Sequence, residues 1–79
     1  MEIQPASRIQ SVLFKKSKWT LLKAMEWLMQ NRFISTKVDE TENMYRFRQE
    51  DPYHFNHFRI KKIKSKGKPI ELVVGFPLV

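Results

Sequence analysis

A chain of 79 residues is one domain's worth of sequence, and 15 Lys+Arg against 8 Asp+Glu give it a formal net charge of +7. Two glycines leave no room for a Gly-rich phosphate loop, and the lack of cysteine excludes disulfides, thiolate metal sites and thiol nucleophiles. An aromatic content of 13% argues for a packed core and against disorder.

Residues 1–7 read as a flexible lead-in. They contain Glu2 and Pro5 and no basic head before an apolar run, so no cleaved leader is expected. Residues 8–79 read as a single domain. Arg8 to Phe14 is apolar and β-branched without a helical stripe, which predicts a strand. A turn rich in lysine follows at Lys15, Lys16 and Lys18. Leu21, Ala24, Met25 and Leu28 then recur at helical spacing, with Leu22, Trp27 and Met29 expected to widen the buried stripe. Thr20 is the expected N-cap, with Ser17 as its rival, and the helix should end near Asn31.

Beyond the helix the pattern changes to period two. Phe33 to Val38 is predicted as a strand and Asp39 to Asn43 as an acidic turn. Met44 to Gln49 forms a strand with Tyr45 and Phe47 on one face and Arg46 and Arg48 on the other. Asp51-Pro52 breaks the pattern, and Tyr53 to His57 is a loop or a single helical turn. Phe58 to Lys64 is a further strand, with a bulge expected between Lys61 and Lys62. After a tight turn at 66–68, Ile70 to Gly75 closes the chain's pattern. The order β-α-β-β-β-β predicts an α+β fold in which one helix packs on a small, mainly antiparallel sheet.

No constellation for catalysis is visible. His54 and His57 could share a ligand on one helical turn, but two histidines lack the further ligands a metal needs. Asp39, Glu40 and Glu42 read as solvated acids balancing nearby lysines. Ser7, Ser11 and Ser35 have no base placed beside them. The expectation is a protein without cofactor, metal or enzymatic activity.

The basic residues fall in three groups: Arg59, Lys61, Lys62, Lys64, Lys66 and Lys68; Lys15, Lys16 and Lys18; and Arg46 with Arg48. If the strands at 44–49 and 58–64 are neighbours, Arg46, Arg48 and two or three of the lysines, among Lys61, Lys62 and Lys64, share a surface that would bind nucleic-acid phosphates with little sequence selectivity. The alternative is that the lysines serve solubility and protect strand edges. The rings of Tyr45, Phe47, Tyr53, Phe55 and Phe58 could stack bases, but a domain this small needs most of them in its core. Tyr53 is the expected exposed exception. Arg46, Arg48, Gln49 and Asp51 could form a polar recognition face, or be structural through an Arg48–Asp51 pair and a Gln49 bond to backbone. No apolar run approaches the ~20 residues of a membrane span.

The string Ser11-Val12-Leu13-Phe14-x-Lys16-Ser17-Lys18-Trp19-Thr20, with Ala24-x-x-Trp27-Leu28, Tyr45 to Gln49, Asp51-Pro52, Phe58-Arg59 and Leu72 to Gly75, resembles a small module of tailed phages and large DNA viruses. In phages the module occurs among head-morphogenesis and hypothetical proteins. The resemblance covers roughly residues 9–76. It implies a viral origin and an α+β fold, and no reaction. Two positions depart from the module's pattern: Lys15 stands where it has an acid, and Arg32 where it has glycine, which points to Asn31 as the left-handed residue. The expected partner is nucleic acid, with a virion or host protein as the alternative and self-association possible. The expected setting is intracellular or the virion, with no membrane partner.

Overall fold

In a computed structural model of the chain, residues 7–77 are described, and they form one helix against a five-stranded antiparallel sheet. In chain order the elements are β1 (Arg8–Lys15), α1 (Leu21–Gln30), β2 (Val38–Glu40), β3 (Met44–Arg48), a 3₁₀ turn (Pro52–His54), β4 (Phe55–Ser65) and β5 (Lys68–Pro77). This is the expected α+β order. The sheet runs β2-β3-β1-β5-β4, so the first strand lies at its centre. The lead-in expected over 1–7 lies, apart from Ser7, outside the described residues, as do Leu78 and Val79.

One face of the sheet is covered. Val12 and Phe14 of β1 stand opposite Phe47 and Tyr45 of β3, and opposite Leu72 and Ile70 of β5. Together with Trp19, Ala24 and Leu28 they make the core. Phe14 is its hub, meeting Trp19, Trp27 and Phe47 edge-to-face with centroids 4.9–5.8 Å away. The helix presents Ala24 and Leu28 fully buried, with Leu21, Met25 and Trp27 at the margin. Leu22 and Met29, expected in the stripe, are 69% and 65% exposed: they lie on the far side of the cylinder. Thr20 is the N-cap, its hydroxyl accepting from Lys23 N–H at 3.1 Å.

The helix ends in a Schellman arrangement. Phe33 N–H donates to Leu28 O at 2.8 Å, and Arg32 N–H to Met29 O at 3.2 Å. The left-handed residue is Arg32, at φ 62°, and not Asn31 at −101°. This is the position where the viral module carries glycine. Arg32→Gly should therefore stabilise the fold by about 0.5–1 kcal/mol, the relief of left-handed strain less the greater entropy of the unfolded chain. A denaturation midpoint that falls would contradict this geometry.

Two strand expectations need correction. Of the expected strand Phe33 to Val38 only Val38 is one, and β2 is Val38–Glu40, reaching into the expected acidic turn. Phe33 is held by the helix end and stacks on Trp27, with centroids 5.8 Å apart. Ile34 exchanges its backbone bonds with the Gln49 amide, at 2.7 and 2.8 Å. A side chain thus takes the place of a neighbouring strand. The expected bulge at Lys61–Lys62 is also absent, since pairing of β4 with β5 runs unbroken from His57 to Ser65. The irregularities lie at Gln10 in β1 and at Asn56 in β4.

Candidate nucleic-acid interface

The strand order decides which basic residues meet. β3 and β4 are not neighbours, because β1 and β5 lie between them. Arg46 and Arg48 therefore do not lie beside the lysines of β4 as their sequence suggests, although the row Arg46–Leu13–Glu71–Lys62 keeps Arg46 and Lys62 on one face of the sheet. Lys61 and Lys62 also point to opposite faces, as alternation requires in an unbroken strand.

A different cluster forms. β4 is an edge strand, and Arg59, Lys61, Lys62 and Lys64 are exposed along it. Lys66 and Lys68 follow in and after the hairpin turn, where Lys66 and Gly67 both adopt positive φ, 50° and 80°. Left-handed pairs of this kind fit the twist of a two-residue hairpin loop. The Trp19 indole N–H donates to Pro69 O at 2.9 Å, and Lys68 Nζ lies 5.1 Å from the Trp19 ring centroid. These contacts bring the 15–18 turn to the same end of the sheet as the hairpin. Of the group at that turn, Lys16 pairs with Glu40 at 2.7 Å, while Lys15 and Lys18 are exposed.

Among the described residues, none of Arg59, Lys61, Lys62, Lys64, Lys66 and Lys68 has a carboxylate within ion-pair distance. Arg59 lies 5.7 Å from the Phe76 ring, on which His57 stacks. The acids Asp39 and Glu40 lie on β2, the opposite edge, with Glu42 in the turn beyond. Three acids thus gather at one margin, two of them paired with Lys16 and Arg48, and cations without such partners among the described residues line the other.

The two arginines of β3 behave differently from each other. Arg48 reaches Asp39 at 3.5 Å, not Asp51, which caps the 3₁₀ turn by accepting from Tyr53 N–H at 3.0 Å. Among the described residues Arg46 has no carboxylate within ion-pair distance. Its Nε donates to Ser11 Oγ at 3.2 Å and its Nη2 to Gln10 Oε1 at 3.1 Å. Ser11 Oγ donates to the same Gln10 oxygen at 2.6 Å, and Gln10 Nε2 donates to Glu50 O at 2.8 Å. Gln10 and Ser11 are fully buried polar residues, and their network serves to hold one guanidinium. Sequence reasoning missed them. The available signal was two adjacent polar residues inside the otherwise apolar run of β1.

His54 and His57 do not converge. His54 Nδ1 lies 2.9 Å from Glu50 Oε2, and Glu50 also takes two bonds from Arg8 at 2.7 and 2.8 Å. Arg8 first, then His54, holds the Glu50 carboxyl at about 2, below its ordinary 4.5. Among the described residues there is no group of three or more metal-ligating side chains, and no helix is long and apolar enough to cross a membrane.

The face of the sheet away from α1 is uncovered. Leu13, Val73, Ile60, Phe58 and Pro52 line a shallow groove there with Gln10 and Arg46, about 310 Å³ in volume. Phe58 and Ile60 are 42% and 52% exposed, while Tyr53, beside Pro52, is 89% exposed as expected. Phe47 is a core ring, Phe55 is buried outside that cluster over Gly75, and Tyr45 packs at the core's margin. Comparisons with protein-family models, curated proteins and solved structures return no match to this chain.

Proposed function

We propose that this chain is a non-enzymatic module that binds nucleic acid through its basic margin. The carrying observation is the set of six cations on β4, the β4–β5 turn and the first residue of β5, with no ion pair among the described residues. Lysines spread along one strand meet a repeating phosphate backbone without demanding a base sequence. Binding of this kind is driven by counterion release. A virion role and a viral origin extend the proposal, and both come from the resemblance of residues 9–76. The second reading is an assembly protein acting through protein contacts, and the uncovered apolar groove is what favours it.

Titration of labelled duplex and single-stranded oligonucleotides over a range of salt tests the proposal. Changing Lys61, Lys62 and Lys64 together to Gln should weaken binding to all sequences alike. It should lower the slope of log K against log salt by about 0.9 for each lost duplex contact. All three side chains are exposed on an edge strand, so the fold should survive. Wild-type affinity in the triple variant, or no binding by the wild type near physiological salt, sinks the proposal and puts the assembly role first.

A further inference from the structure

The basic margin explains affinity for phosphates of any form. It leaves unexplained why a rigid polar network holds a guanidinium beside exposed apolar side chains on the other part of the same sheet.

Two features of the groove point to its occupant. The first is Arg46. A guanidinium has five N–H donors, and Arg46 spends two of them on Ser11 and Gln10. Both acceptors are neutral, and among the described residues no carboxylate lies within ion-pair distance of Arg46, whose cross-strand neighbour Asp39 turns to Arg48 instead, so further donors remain. The partners are buried and bonded in turn to backbone, which pre-orients the group. The second is Phe58. Its ring meets Phe55 edge-to-face at 5.7 Å, which fixes its position while leaving 42% of the residue exposed. Ile60, Leu13 and Val73 continue the apolar floor. By alternation Lys62 and Lys64 stand on this same face, beyond Ile60. Two acids share the face, Glu71 opposite Lys62 and Asp39 opposite Arg46.

We infer that this uncovered face is a site for single-stranded nucleic acid, with an unpaired base against Phe58 and a phosphate or base edge on Arg46. The inference rests on the nucleic-acid reading above and adds the strandedness of the ligand. An aromatic face on a sheet reaches only bases that are not paired inside a helix. The cations on either side of the floor then track the backbone. A second copy of this chain would set Arg46, Lys62 and Lys64 against their own like, so charge disfavours it as the occupant.

Anisotropy titration of an oligothymidylate and of a duplex of equal length, with wild type, Phe58→Leu and Phe58→Tyr, tests the site. Each variant's thermal melt is measured alongside. The wild type should prefer the single strand. Phe58→Leu, which keeps apolar bulk, should weaken single-strand binding roughly tenfold with its salt slope and duplex affinity unchanged. Phe58→Tyr, which restores a ring, should recover it. Single-strand affinity within twofold of wild type in Phe58→Leu, or a wild type that binds duplex as tightly as single strand, overturns the inference. With salt-dependent binding still present, the proposal of a phosphate-binding margin stands alone. If the wild type binds neither oligonucleotide, both fail.

Discussion

Leu28→Ala should lower the thermal midpoint by about 10–30 °C, the equivalent of roughly 2–5 kcal/mol in a domain of this size. Leu28 is fully buried in the cluster formed by Val12, Phe14, Trp19 and Phe47. Truncation removes its transfer energy and leaves a void against rings that cannot collapse inward. The total stability of such a domain is on the order of 4–12 kcal/mol, so the loss is a large part of the whole. The control is Leu22→Ala, the same chemical change on the same helix at a residue 69% exposed. It should stay within about 0.5 kcal/mol. Equal losses at the two positions would mean that the helix presents another face to the sheet.

Gly75→Ala should cost about 2–3 kcal/mol, although it adds one methyl group to a strand. The reason is space. A Cβ at Gly75 would lie 2.4, 2.5 and 2.8 Å from three atoms of the Phe55 ring. Phe55 is itself 8% exposed, with Phe58 at its edge and the Arg8 guanidinium 5.1 Å from its centroid. The ring must leave a buried seat or push the strand aside. A double-mutant cycle separates this clash from a general intolerance of β5. In a Phe55→Ala background the added methyl should cost far less, a strong non-additivity between touching residues. Additive losses would show that Gly75 is needed for some other reason.

Features set by neighbours in sequence were readable from the sequence. The Thr20 cap, the Ala24–Leu28 face and the division of β3 into Tyr45/Phe47 and Arg46/Arg48 all follow from local spacing, and all appear in the structure. What depended on pairing between distant segments was not readable. Alternation tells which side chains share a face of one strand, but not which strand lies alongside. Hence the sequence suggests adjacent strands for Arg46 and Lys62, whereas β1 and β5 separate them and only the sheet face is shared. The same limit hid the Gln10–Ser11–Arg46 network, in which Arg46 lies 35 and 36 residues from its two partners. Phe33 to Val38 failed differently. Its period-two pattern is real, but the Schellman end holds Phe33 and the Gln49 amide holds Ile34, which leaves only Val38 for the ladder.

The strand order has an electrical consequence. The outer strands β2 and β4 are four inter-strand steps apart, about 19 Å at ~4.8 Å per step. The screening length at physiological ionic strength is about 8 Å. The acids at one margin, two of them already paired, therefore do not cancel the cations at the other, and charge is spread unevenly across the sheet. On the function proposed above, a polyanion would turn the molecule so that β4 leads and β2 trails before contact is made. The gain would be in association rate, and it would fade as added salt shortens the screening length.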